Sequence, residues 1–378
     1  VKLFGIVFGL LLQSTVYGAP IFGYGSSNAV IPAKDQELFF MGFEAGYEEF
    51  AHEKLSRSIL SVEHVHDGSQ LGAIRSAEKL LSQGVQMLLG FPTSHEALLV
   101  GQVASRKKIF TLVPAASHSD MASLGRYVYS TGEPMSSTVG QMLRFVLNRY
   151  PKKPGVVVVN PYAVYSTDQQ KLFEELRKRP EYAGITFRVA LLTPDMLLAD
   201  EDIDYIRAER PGYLCFTQYA SEARELMNQL MDNQIDLPIV TNSSWLTGDI
   251  EYVRRYLMTR KSPMYSAGVW IQGSAESRPF ERVVRKKYGI SPGPEISYGY
   301  DLGLIVATIF KDVKTAHLAP TSDNLLAAFQ KRKCFEKTSG GTICFGPDGG
   351  HALRSVKFVK FTRSGFIPVK DLKSGTFF

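Results

Sequence analysis

Hydroxyl and aromatic residues recur in this chain just after short apolar runs, a placement suited to holding a small polar molecule. Residues 85–90 lead into Phe91-Pro92-Thr93-Ser94, with a helical pattern starting near His95, and residues 109–113 lead into Pro114-Ala115-Ala116-Ser117. A hydroxyl beside the unpaired N–H groups of a helix start can hold a carboxylate or carbonyl oxygen. Ser and Thr also serve as plain helix N-caps, so either loop alone supports both readings, and two on neighbouring strands favour a site. Further along, residues 155–160 run into Pro161-Tyr162-Ala163-Val164-Tyr165-Ser166-Thr167, and residues 213–217 into Gln218-Tyr219. Aromatics in polar loops suit stacking on a ligand, although they also plug cores.

Catalytic chemistry has no comparable support. The sequence carries no phosphate loop, nucleophile elbow or dinucleotide fingerprint, and the chain reads as a non-enzyme with no cofactor. His64 and His66 alternate on a predicted strand, with Glu63 and Asp67 nearby, and residues two apart share a face. No third ligand follows at a useful spacing, and Asp67-Gly68-Ser69 reads better as a turn, so no metal site is assigned.

Loops such as these form one site only if strands bring them to one edge, and the hydrophobic pattern predicts that. Strands over 58–66, 85–90, 109–113 and 155–160 alternate with helices over 69–83, 96–106 and 137–149. A second series follows: helix 168–178, strand 185–192, helix 200–210, strand 213–217, helix 220–233 and strand 237–241. The Val156-Val157-Val158-Val159 run marks a parallel strand covered on both faces. Two βαβ series predict an α/β chain of two doubly wound parallel-sheet lobes, in which ligands bind beyond the carboxyl ends of the strands. After residue 265 the pattern predicts a strand over 267–271, helices over 278–288, 298–313 and 324–331, and strands within 351–361.

Composition narrows the class. The chain has 378 residues and a formal charge of +6, but its densest basic runs, Arg106-Lys107-Lys108 and Arg285-Lys286-Lys287, end helical patterns where cations suit the macrodipole. No concentrated basic face points to nucleic acid. Lys2, the apolar run to Leu12 and the small residues to Ala19 read as a secretory signal peptide over 1–19, cleaved near Ala19, with export to the periplasm. Export would allow Cys334 and Cys344 to pair across a turn-rich segment, and Cys215 reads as a core thiol.

Pro114-Ala115-Ala116-Ser117, Tyr165-Ser166, Ser297-Tyr298-Gly299-Tyr300-Asp301 and the tail from Ser339-Gly340-Gly341 to Gly349-Gly350 together resemble the type I periplasmic-binding family, in particular leucine/isoleucine/valine-binding proteins of bacterial ABC importers. The resemblance implies a three-segment hinge, with lobe one over 20–131 plus 270–355 and lobe two over 132–268 plus 357–378. It implies a ligand carboxylate on Ser94, Ala116 and Ser117, with Tyr165 and Tyr219 closing from lobe two. The implied partners are a small polar ligand, such as an amino acid or amide, and an ABC permease in the inner membrane. A sensor of the same fold, signalling to a receptor or regulator, is the alternative. One departure stands out: where amino-acid binders carry an acid to pair with the ligand's ammonium, this chain has Asn242-Ser243-Ser244-Trp245, and the nearest acid is Asp249. Either another carboxylate reaches in or the ligand is an amide or short carboxylate, and Trp245 is either a ligand contact or a structural aromatic.

Overall fold

A computed structural model of the chain describes residues 20–27, 33–65, 71–246, 251–363 and 365–369. The proposed signal segment, His66, Asp67, Asp249 and residues 370–378 lie outside the described residues. The first run comprises β1 (Phe22–Ser27), α1 (Ala33–Ala51), β2 (Leu60–Val65), α2 (Gly72–Ser82), β3 (Met87–Gly90), α3 (Ser94–Lys107), β4 (Phe110–Val113) and β5 (Val128–Ser130). A second run follows: α4 (Met135–Arg149), β6 (Gly155–Val159), α5 (Val164–Leu176), β7 (Phe187–Leu191), α6 (Asp200–Glu209), β8 (Tyr213–Phe216), α7 (Arg224–Asp232), β9 (Ile239–Thr241), α8 (Glu251–Met258) and β10 (Met264–Gly268). The chain then returns through α9 (Arg278–Tyr288), α10 (Pro294–Thr315), α11 (Ser322–Arg332), β11 (Cys334–Thr338), β12 (Gly341–Phe345) and β13 (Gly350–Leu353). It ends in β14 (Lys357–Thr362) and β15 (Gly365–Pro368).

Two mostly parallel sheets result. One has the order β11-β12-β13-β5-β4-β3-β1-β2 and the other β15-β14-β10-β9-β8-β6-β7. The chain therefore passes between sheets three times, after β5, after β10 and after β13, as a doubly wound two-lobed fold requires. One expectation needs correction. The strand expected over 267–271 is β10, three residues earlier; Val269, Trp270 and Ile271 instead bury in three different hydrophobic clusters as the chain crosses. The tail strands belong to different sheets, β13 beside β5 and β14 beside β10. An apolar run buried on every side in a crossing looks like a strand by composition alone. No described helix is long and apolar enough to cross a membrane.

Helix α1 was not anticipated, yet it sets the position of α10. A Cβ on Gly42 or Gly46 would fall 2.2 and 2.1 Å from the Ile296 and Tyr300 carbonyl oxygens; one on Gly299 or Gly303 would fall 1.9 and 2.0 Å from those of Phe39 and Phe43. The two backbones thus meet directly, which only glycine permits.

Two of the crossings are tied by one cation. Arg354, in the third crossing, donates to the Thr131 carbonyl in the first at 3.1 Å and pairs with Asp301 on α10 at 2.9 Å, both side chains being buried. Ser339, in the β11–β12 turn, completes the Asp301 shell through its N–H and hydroxyl at 2.6 and 2.9 Å. Next to it Gly340 presses on the second crossing, since a Cβ there would lie 2.7 Å from the Val269 carbonyl oxygen. Burial raises the Asp301 carboxyl, opposed by Arg354 and Ser339. In the same hairpin Cys334 and Cys344 are directly opposed and joined as a disulfide.

Beside this clasp, β13 places His351 opposite Ser130. Burial lowers its imidazole from 6.5 to about 4, partly offset by hydrogen bonding to the backbone of His118 and Ser117.

Two outcomes are expected. Replacing Arg354 by Met leaves Asp301 charged and unpaired, so urea unfolding should show a loss of about 3–5 kcal/mol, largely recovered when Asp301→Asn is added. Because the folded His351 pKa lies below its unfolded value, its contribution is present above pH 6.5 and lost as pH falls towards 4. Its share is at most about 3 kcal/mol, and His351→Gln should flatten that part of the stability–pH curve.

Candidate ligand-binding site

Each candidate residue lies at a strand exit, where the chain must turn before its next helix. After β3, Phe91 takes a positive φ of 57° and Thr93 caps α3, its hydroxyl accepting from the Glu96 N–H at 3.2 Å. Capping therefore falls to Thr93 and Ser94 is released from it. The Ser94 hydroxyl oxygen instead accepts from the N–H groups of Ser117 and His118, at 3.2 and 3.3 Å. After β4, Ala115 also has a positive φ, 61°, and the Ala116 N–H turns back to the Pro114 carbonyl at 2.8 Å. That tight γ-turn engages the Ala116 N–H within the loop, while Ser130 holds the Ala116 carbonyl at 2.5 Å.

The second lobe faces this loop with two tyrosines. Helix α5 begins four residues before the expected position, so Tyr165 occupies its first turn and not a loop. Tyr165 and Tyr219 stack with centroids 4.4 Å apart and ring planes at 16°. Burial, and then the charge of Glu133, raise the Tyr165 hydroxyl above the tyrosine range, while hydrogen bonds with Ser243, Ser244 and Ser117 oppose this. Burial raises Tyr219 further, with Tyr165, Glu222 and Glu96 adding to it and the Ser94 backbone opposing. Both phenols are neutral hydrogen-bonding groups at physiological pH. Ser94, Ser117, Tyr165 and Tyr219 are thus mutually connected across the lobes, beside Ala116.

Trp245 lies apart from this ring. It is fully buried in the second lobe's core against Phe216, and its indole N–H donates to the Gln218 carbonyl at 3.0 Å. Asn242, standing where an acid was sought, is a structural clasp. Its amide donates to the Thr217 carbonyl at 3.1 Å and accepts from Ser244, and its carbonyl accepts from Ser266 at 2.7 Å.

Three residues at the site were not singled out from sequence. Asp168 on α5 receives the Ser119 N–H and hydroxyl at 2.9 and 3.1 Å, a direct bond between lobes. Gln218, next to Tyr219, is fully buried, and neither of its amide atoms has a partner among the described residues. Glu133, in the first crossing, is buried and among the described residues receives hydrogen bonds only from the Tyr298 and Thr138 hydroxyls, each at 3.3 Å. Glu133 did carry a signal: it is the only charged residue between Tyr127 and Arg144.

A family model described as periplasmic binding protein matches residues 40–365. No curated protein sequence matches the chain. Among solved structures, the chain is similar to the leucine-binding protein LivK of Thermotoga maritima, with 14% identity over 93% of this chain and 98% of that one and a TM-score of 0.76. It is similar to LivJ of Streptococcus pneumoniae in complex with isoleucine, at 16% identity, coverage of 92% and 97%, and a TM-score of 0.74. A solute-binding protein of R. palustris in complex with benzoate gives 16%, 93% and 95%, and 0.73. These likenesses show the fold, and the match to the family model over most of its length shows that the chain belongs to the periplasmic binding protein family.

Proposed function

We propose that this chain is the extracytoplasmic binding component of an ABC importer, a non-enzymatic clamp that closes on one small polar solute. The observation that carries the reading is the ring of Ser94, Ser117, Tyr165 and Tyr219, assembled from both lobes around the Ala116 loop. Hydroxyls on one lobe suit a carboxylate or carbonyl, and a stacked aromatic pair on the other suits a lid. Closing excludes water and strengthens the hydrogen bonds inside. In this reading lobe one spans 20–131 and 270–355, lobe two spans 132–268 and 357–378, and a membrane permease recognises the closed form. In the same reading residues 1–19 are an export signal and the clamp acts in the periplasm.

Amino acids are the first ligand class, supported by relatives named for leucine and solved with isoleucine. Aromatic carboxylates are a second reading, favoured by relatives of the same fold solved with benzoate and 4-hydroxybenzoate. Both classes carry the carboxylate that the Ser94–Ser117 side would receive.

A thermal-shift screen of amino acids, amides, short carboxylates and benzoates tests the reading. A true ligand at about a hundred times its dissociation constant stabilises the folded state by roughly 2.7 kcal/mol; no shift across the whole panel would sink solute binding as the function. Ser117→Ala should weaken the identified ligand about 10- to 100-fold, the range for a hydrogen bond to a charged group, while unliganded melting stays nearly unchanged. Unaltered affinity removes Ser117 from the site.

A further inference from the structure

We infer that Glu133 is the counter-charge for a cationic group on the bound solute, which makes amine-bearing solutes, zwitterionic amino acids first, the class this site takes. The inference rests on the solute-binding reading above and narrows it.

Glu133 is placed against the ligand loop by the backbone. The Thr131 N–H bonds the Val113 carbonyl at 2.9 Å and the Met135 N–H bonds the Ser117 carbonyl at 2.9 Å, so the first crossing runs alongside residues 113–117 with Glu133 level with Ala115. Between them Gly132 lies flush on the loop, where a Cβ would fall 2.7 Å from the Ala115 backbone. From this position the Glu133 charge acts on Tyr165 in the second lobe and on Tyr298 in the first.

The charge balance around it is incomplete. The other buried carboxylates near the crevice are answered by stronger donors: Asp168 by the Ser119 N–H, Glu96 by the Thr93 N–H, and Asp301 by Arg354 and the Ser339 N–H. Glu133 has only two neutral hydroxyls at 3.3 Å, and no ion pair joins it to any described Lys, Arg or His. Arg354, the nearby guanidinium over the Tyr298 ring, is committed to Asp301 and the Thr131 carbonyl. With Arg354 taken by Asp301, no described cation answers Glu133, which stands as a buried carboxylate beside the ligand loop. A buried charge is tolerable when an opposite charge meets it. An ammonium group would do so, and the Tyr165 ring would favour it further. A benzoate would bring a second negative charge to the same place.

The test pairs L-leucine with 4-methylpentanoate, the same skeleton without its amine, by calorimetry on the purified wild-type protein and on Glu133→Gln. A wider thermal-shift panel adds the other amino acids, simple amines, amides and benzoates, and any amine-bearing solute that it selects is paired with its deamino analogue. The expected result is that an amine-bearing solute binds wild type at least about 30-fold more tightly than its deamino analogue, and that Glu133→Gln abolishes this preference. The wild-type comparison needs no variant, so a poorly folding Glu133→Gln leaves the inference open to refutation. Equal weakening of both solutes in Glu133→Gln marks the residue as hinge packing and overturns the inference. Binding of benzoates or neutral amides in preference to every amine also overturns it, while the solute-binding reading stands. If nothing in the panel binds, both fall.

Discussion

Three chain crossings must hold two sheets in register, and a single buried guanidinium joins two of them. Arg354 reaches from the third crossing to the first through the Thr131 carbonyl and to α10 through Asp301. Burying both charges has a desolvation cost, which their mutual attraction and the Ser339 hydrogen bonds offset. Helix α10 can supply Asp301 there only because its glycines let it lie backbone to backbone on α1. The disulfide-linked hairpin then carries Ser339 to the same carboxylate. The hinge is thus polar at its centre and apolar around it.

The crevice inherits its geometry from that hinge. The first crossing is bonded along the Val113–Ser117 loop, so whatever sets the crossing also sets the loop. Positive φ at Phe91 and Ala115 marks backbone held in sparsely populated conformations, the kind of strain that collects at binding sites. With Thr93 capping α3, the Ser94 hydroxyl is turned to the N–H groups of Ser117 and His118. Asp168 and the tyrosine stack meet this loop from the other lobe.

A fold that holds isoleucine in one relative and benzoate in another does not decide a ligand. In this chain the decision lies in the charges that line the crevice. Asn242 is neutral and consumed by the ends of β8 and β10, whereas Glu133 is acidic and lightly bonded. Moving the negative charge from the second lobe to the hinge would keep a zwitterion's two ends paired while changing which wall receives the ammonium.

The amino-acid sequence by itself determined the α/β class, the two βαβ series and the strand exits at Ser94, Ser117 and Tyr219. These follow from local periodicity and from loops that must come after parallel strands, and such signals need no distant contact. Boundaries at Tyr165 and at 269–271 slipped because a helix's first turn and a buried crossing carry the same residue types as a loop and a strand. Helix α1 escaped because its glycines look like breaks until a second helix packs on them. The roles of Glu133, Asn242, Asp301 and Arg354 were decided only by tertiary structure. Whether a buried polar group is paired, capped or left with a charge to share depends on partners that lie tens to hundreds of residues away, and local pattern does not record them.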